Sequence, residues 1–551
     1  MLGIKRIYSV ILAGLVGILP IKGHAVPAEG HQIMVAGPSP HAIEVGRAIH
    51  LRGGNTVDVA VAVALSLAVT HPYYAAFGGG GFAIVKMNSE VKAIDFREMA
   101  PGKAHPDLYK DKAKDASITG GLAVGVPGVP AGLWALHEKY GKLKWAQLFP
   151  EAIALAEKGF RVSGEWVEET EFTMKRFNPE GKAIFSKAGT SLKPGEVLKQ
   201  PGLARFMKSL QKQGPRAFYE GEVAKELSDI VQKNGGVITV EDLKNYRVRW
   251  MDPIKADYAG HRLYLMPPPS SGGLIIAQAV QLMTRLKLSE KAPLSVDELH
   301  LLIEIMKLSY RGRTLLGDPD FSKNPMEELL SEKYLASLAA KVKMDKALDV
   351  EPLREISFEK EQTTHFSVMD AKGNAVAFTV TLNGGYGSGV VTPRSGIALN
   401  NEMDDFTTRP GQPNMFGLIQ GETNRVQARA RPLSSMSPTI VEKEGRTILA
   451  VGSPGGPRII SAVMQVLHRS LTQPFDIDQA IQAPRVHHQF LPNTVKTDAM
   501  RLPPETIEAL RARGHKIETG STAKVYGVRL SPEGLLSGAA DARGEGAAGG
   551  I

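Results

Sequence analysis

The chain has 551 residues, 43% apolar and 22% charged, and no cysteine. That composition excludes a disordered or fibrous chain and leaves length for a large core or two domains; the absence of thiols excludes disulfides, a cysteine nucleophile and thiolate metal sites. The net charge of +9 is interspersed rather than blocked, which favours a solvated basic surface over a nucleic-acid partner.

Lys5 and Arg6 precede an apolar run, Ile7 to Leu19, and then Gly23-His24-Ala25. This pattern predicts a signal peptide over 1–25, too short to span a bilayer, and an exported product in a periplasm or outside the cell. Its removal takes Lys5, Arg6 and Lys22 and no acid, so the charge falls from +9 to +6. Asn55-Thr56 can cap a helix from Val57 to Val69 that is apolar all round and therefore buried. Gly78–Gly81 leads into a strand at Phe82–Val85. Pro150 starts a helix that stops at Gly159, and Ser295 to Glu298 reads as a capping box opening a helix through Leu308. From about 363 strands dominate: Phe366–Val368, Ala375–Leu382 and Thr447–Val451, with helices at Arg458–Leu471 and Pro504–Arg513. The expected class is α/β or α+β, a sheet packed by helices from both portions. The Gly/Ala-rich tail from Gly544 reads as a loose terminus. His487-His488 on a strand would face opposite ways, so no shared metal is expected.

With no cysteine, acyl chemistry falls to Ser, Thr, Lys or a carboxylate, and no Gly-x-Ser-x-Gly elbow or His-Glu-x-x-His pattern is present. Asp370 to Asn374 reads as a three-residue hairpin loop with Gly373 left-handed. Extending its register sets Thr363 opposite Thr381, with Cβ atoms about 5 Å apart. Taken alone, that pair fits a plain cross-strand contact as well as a reactive site. A Thr hydroxyl needs a base, and a Thr at a free N-terminus carries one in its own amine, which titrates near 7.7–8.0. Thr363 gains that base only if the bond after Gln362 is cut.

Five segments in order resemble the gamma-glutamyltransferases, a family of N-terminal-nucleophile hydrolases: Asp95–Pro101, Thr363–Val368, Leu399–Phe406, Arg431–Thr439 and Gly452–Gly456. The resemblance covers essentially the whole mature chain. It implies a four-layer αββα sandwich and self-cleavage at Gln362–Thr363, giving a large chain of 26–362 and a small chain of 363–551 that associate without a covalent link. It implies that Thr363 attacks the γ-carbonyl of glutathione or a related compound, and that water or an amino-acid or peptide amine resolves the ester, with no cofactor. Thr381 would orient Thr363, and Gly455 and Gly456 would offer N–H groups to the oxyanion. Arg97 would fork onto the substrate α-carboxylate, with Ser434 and Ser435 donating to it. Asp405 would face the α-ammonium, with Glu402 and Asn383 accepting. Without the resemblance, Arg97-Glu98 and Asp404-Asp405 would read as solvated charge.

Residues 410–421 correspond to a loop that covers the glutamyl pocket. Phe416 stands where a Tyr is often found, so no phenolic latch is expected there. Gly384-Gly385-Tyr386 replaces a more polar stretch and is expected to loosen the acceptor side. Two alternatives are weighed: a related cephalosporin or glutaryl acylase, whose substrates can lack the ammonium, and an inactive secreted homologue. Asp405 and Glu402 argue against the first, and Thr363, Arg97 and Asp405 together argue against the second.

Overall fold

Apolar residues alternate along the central strands, and each alternate set enters a different core. Val35, Val85, Val368 and Phe378 join one cluster with the N-terminal helices, whereas Met34, Ile84, Met369 and Ala377 join another with Ile440 and Leu449. A period of two with both faces buried makes a sheet sandwiched between layers. The computed structural model describes residues 27–350, 363–498 and 501–551; the expected leader over 1–25 and the residue Gln362 lie outside them.

Two seven-stranded antiparallel sheets stack face to face. The first runs Ala547–Gly550, Ile33–Gly37, Thr363–Asp370, Ala375–Thr381, Gly80–Met87, Glu90–Asp95, Arg249–Met251. The second runs Ala28–Gly30, Leu536–Ala540, Tyr526–Leu530, Arg446–Gly452, Thr439–Lys443, His261–Leu265, Ile254–Tyr258. Strands from before and after residue 363 interleave in both. The helix Thr56–Thr70, buried at every position, packs on the outer face of the first sheet. Asn55 accepts the N–H groups of Val57 and Asp58, and Asp58 accepts that of Asn55, a complete capping box. Helices Gly272–Arg285, Val296–Tyr310 and Arg458–Thr472 cover the second sheet. The result is the expected αββα sandwich.

Three expectations change. Ser295 does cap the helix Val296–Tyr310, accepting Glu298 N–H at 3.2 Å, but Glu298 reaches back to the N–H of Leu294 rather than that of Ser295. The tail is an ordered edge strand, not a loose end. Ala547–Gly550 pairs with Ile33–Gly37, and the Ile551 carbonyl accepts His31 and Gln32 N–H groups at 2.7 and 2.6 Å. Its small residues are what the edge requires, since a Cβ on Gly550 would stand 2.6 Å from Met34 Cε. Third, Gly384-Gly385-Tyr386 is held firmly. The Gly385 carbonyl accepts Thr173 Oγ1 at 3.0 Å and Arg176 Nη2 at 3.1 Å, and the buried Tyr386 hydroxyl meets Thr170 Oγ1 at 2.8 Å.

Several histidines are buried without an acid to pay back their charging. His365 sits between Thr379 Oγ1 (2.8 Å) and Ser367 Oγ (3.0 Å), and burial lowers its pKa to about 3. Burial likewise lowers His487 and His488 to about 3; they bond to different partners, Ser461 and Asn493. Such groups stabilise the fold fully above the unfolded value of about 6.5, and that contribution is lost as pH falls toward 3, by about 1.4 kcal/mol per pH unit for each histidine. The urea midpoint is therefore expected to drop between pH 7.5 and pH 5; an unchanged midpoint would show that these rings are not held neutral.

Candidate active site

Thr363 opens a strand at the centre of the first sheet, and a local turn fixes its partner. Gly373 has φ +82°, and Asp370 Oδ1 accepts the N–H groups of Lys372 and Asn374, closing the hairpin. The register is as expected, Thr363 opposite Thr381 and Thr364 opposite Val380. The hydroxyl oxygens of Thr363 and Thr381 are 3.2 Å apart. Thr381 Oγ1 also accepts the Asn383 N–H at 2.8 Å, which holds that hydroxyl beside Thr363.

Thr363 lies on the wall between two cavities. One is nearly filled, with about 20 Å³ of free space, and is lined by Arg97, Asn383, Glu402, Asp405, Ser434 and Ser435. Thr381 and Gly456 complete the wall beside Thr363. The other is open, about 780 Å³, and Gly455 borders it. Gly455 (φ +123°) and Gly456 (φ +54°) take conformations that favour glycine. Their carbonyls accept Arg458 and Ile459 N–H groups as the helix Arg458–Thr472 begins, so both residues sit at its positive end. Among the described residues neither glycine N–H has a backbone partner.

The filled pocket is a charge network. Arg97 is 1% exposed; Nη2 donates to Asp405 Oδ2 at 2.6 Å, Nη1 to Glu402 Oε1, and Nε to the Pro432 carbonyl at 3.2 Å. Arg97 and Asp405 are thus buried, not solvated surface charge, and the guanidinium is paired with two of the residues assigned to the ammonium. Burial would lower the Arg97 pKa, but Glu402 and Asp405 outweigh it and hold it up. Burial raises the Glu402 and Asp405 carboxyls. Glu98, fully buried beside them, is pushed up to about 7 by burial. Burial thus outweighs the pull of Arg97, and of Arg313 on Asp405, and disfavours full ionisation of the three carboxyls together.

The segment Pro410–Gly421 closes over this network. Asn414 Nδ2 donates to Asp405 Oδ1 at 3.0 Å, and Gln489 Nε2 donates to the Phe416 carbonyl at 3.2 Å. The buried Phe416 ring lines the pocket, so the cover is fastened through amides and backbone, not a phenol. Free space for about one water means that a glutamyl-sized ligand enters only if the cover or the ion pairs shift.

Two buried residues beside the site escaped the sequence reading. Glu98 lies inside the Asp95–Pro101 segment, where its adjacency to Arg97 was the available signal. Arg313 also lines the pocket; it donates to the Ser434 carbonyl at 2.9 Å and to Gln420 Oε1 at 3.3 Å, and burial lowers its pKa to about 10. Nothing local marks Arg313, because its side-chain partners Ser271, Gln420, Leu433 and Ser434 lie 42 to 121 residues away. Among the described residues, His300, Glu304 and His515 have metal-ligand spacing. Lys307 Nζ already neutralises Glu304 at 2.8 Å, and these residues line neither cavity.

Interleaved strands in two face-to-face sheets, helices outside both, and a Thr at the start of a central strand define an N-terminal-nucleophile hydrolase. The model of the gamma-glutamyltranspeptidase family matches residues 42–551. The glutathione hydrolase proenzyme of Escherichia coli (strain K12) is 41% identical over 533 residues, 94% of this chain and 91% of that protein. Among solved structures, a cephalosporin acylase from Bacillus halodurans superposes with a TM-score of 0.85 at 26% identity, covering 98% and 99% of the two chains. The Helicobacter pylori gamma-glutamyltranspeptidase gives 0.55 at 34% identity, over 60% of this chain and 95% of that one. The chain belongs to the gamma-glutamyltranspeptidase family. It is an enzyme of γ-glutamyl transfer and hydrolysis; the acylase shares its fold at lower identity.

Proposed function

We propose that the chain cuts itself between Gln362 and Thr363 and then uses Thr363 to take the γ-glutamyl group from glutathione and related compounds. The observation that carries this is Thr363 Oγ1, 3.2 Å from Thr381 Oγ1, on the wall of a pocket holding Arg97 and Asp405. The names of the relatives supply the substrate class, since the Escherichia coli protein is a glutathione hydrolase proenzyme.

In processing, Oγ1 attacks the Gln362 carbonyl carbon, the C–Oγ1 bond forms and the C–N bond to Thr363 breaks with the proton passing to nitrogen, which frees the amine; water then hydrolyses the ester and restores the hydroxyl. That amine then accepts the Oγ1 proton as Oγ1 attacks the γ-carbonyl. Gly455 and Gly456 N–H groups receive the oxyanion. Thr381 holds Oγ1 in line. Arg97, Ser434 and Ser435 take the α-carboxylate, and Asp405, Glu402 and Asn383 take the α-ammonium. The substrate zwitterion thereby divides the Arg97–Asp405 pair, giving each ion a new partner. The leaving amine takes the proton, and water or an acceptor amine resolves the ester. We further propose that residues 1–25 direct export to a periplasm or the medium and are removed, and that chains 26–362 and 363–551 stay associated without a covalent link. Among the described residues no helix is long and apolar enough to cross a membrane.

Purified protein is expected to run as two bands near 36 and 20 kDa, by residue share of the 59.4 kDa chain, with the small one beginning at Thr363. It should release glutamate from glutathione, and faster turnover with added glycylglycine would measure transfer. A single uncut chain that still hydrolyses a γ-glutamyl anilide would overturn the mechanism.

A further inference from the structure

The filled pocket accounts for the glutamyl head but leaves no room for a second reactant. The open cavity on the other side of Thr363 has that room, and it has its own charged pair. Lys524 Nζ stands 2.6 Å from Glu165 Oε1, which also accepts the Tyr74 hydroxyl at 2.8 Å, while Glu165 Oε2 accepts the Glu545 N–H at 3.2 Å. Burial would raise the Glu165 carboxyl, but Lys524 and Tyr74 outweigh it and keep it ionised. The Lys524 side chain is 22% exposed. An ammonium has three donors. Glu165 uses one and fixes the group in position, and the others remain for a ligand in the cavity. Thr363 is therefore flanked by two wells, each with a buried or half-buried cation held by a carboxylate: Arg97 with Asp405, and Lys524 with Glu165.

We propose that Lys524, in the open cavity beside Thr363, is the residue that reads the free C-terminal carboxylate of the acceptor and so sets the preference among amine acceptors. The proposal rests on Thr363 being the nucleophile. With the carboxylate on Lys524, the neutral amine faces the γ-glutamyl ester. Its nitrogen attacks the ester carbonyl carbon, the C–N bond forms and the C–Oγ1 bond of Thr363 breaks. The proton shed by nitrogen returns to Oγ1 through the Thr363 amine, which restores the free enzyme.

The test uses γ-glutamyl-p-nitroanilide as donor, because its leaving group has no carboxylate and the donor step does not involve Lys524. Initial rates of transfer are compared for glycylglycine and glycylglycinamide. The processed enzyme is expected to favour the free acid by about 10-fold or more in kcat/KM, the size of a charged hydrogen bond. In Lys524→Met the preference should collapse toward one; in Lys524→Arg and Glu165→Gln, which keep the cation, it should persist. Lys524→Gln serves if the Met variant does not process. Equal use of both acceptors by the unaltered enzyme, or an unchanged preference in the neutral variants, would overturn the proposal. No p-nitroaniline release by the unaltered enzyme, with or without acceptor, would instead overturn the reading of Thr363.

Discussion

Thr363→Ala is expected to remain a single chain and to lose γ-glutamyl anilide hydrolysis by about 10⁴-fold or more, the usual cost of removing a nucleophile. Both losses have one cause. Without Oγ1 the Gln362 carbonyl is not attacked, so no free amine forms, and no hydroxyl remains for a substrate ester. Thr363→Ser keeps the oxygen and should still process and turn over, at a reduced rate, because the missing methyl leaves Oγ free to leave the 3.2 Å contact with Thr381. Near-UV circular dichroism of the Ala variant should match an intact fold, since Thr363 contributes one hydroxyl contact at the edge of two cavities. Cleavage that persists in Thr363→Ala would move the nucleophile elsewhere. Thr364 is a poor successor, because strand alternation turns it to the other face, opposite Val380.

Local geometry explains why that pair was legible in the sequence. A hairpin closed by Gly373 fixes register over a few residues, and register alone sets Thr363 against Thr381. The buried helix Thr56–Thr70 was equally legible, since an all-apolar run after a capping Asn has few other outcomes. What sequence could not supply was pairing over distance. Arg97 and Asp405 are 308 positions apart and read as surface charge until a family pattern joined them. Lys524 and Glu165 are 359 apart and no pattern joined them at all. The tail from Gly544 failed for the same reason. Gly and Ala suggest looseness, but Ile33–Gly37 at the opposite end of the chain offers an edge that only small residues can approach. The half-wrong capping box at Ser295 shows the limit at short range: the residue types were right, and the carboxylate chose the neighbouring N–H.

Asp405→Asn separates γ-glutamyl recognition from simple acyl recognition. The variant keeps the shape of the side chain and its contact with Asn414, and Arg97 retains Glu402, so the fold should survive. What goes is the full negative charge assigned to the substrate ammonium. For γ-glutamyl-p-nitroanilide, KM is expected to rise by about 10- to 100-fold, the worth of a charged hydrogen bond. Glutaryl-p-nitroanilide has the same acyl chain without the ammonium, and its turnover should not fall with the substitution. The preference for γ-glutamyl over glutaryl donors should therefore shrink in Asp405→Asn. Arg97→Met should behave differently. It leaves Glu98, Glu402 and Asp405 buried together without their guanidinium, so stability should fall by about 3–5 kcal/mol at neutral pH and partly recover as pH drops and the carboxyls take up protons. That recovery runs against the loss expected from the buried histidines, so it is read as the difference from the unaltered enzyme at each pH. An Asp405→Asn enzyme with an undiminished γ-glutamyl preference would assign ammonium recognition to Glu402 and Asn383, and would leave Asp405 as the anchor of Arg97 alone.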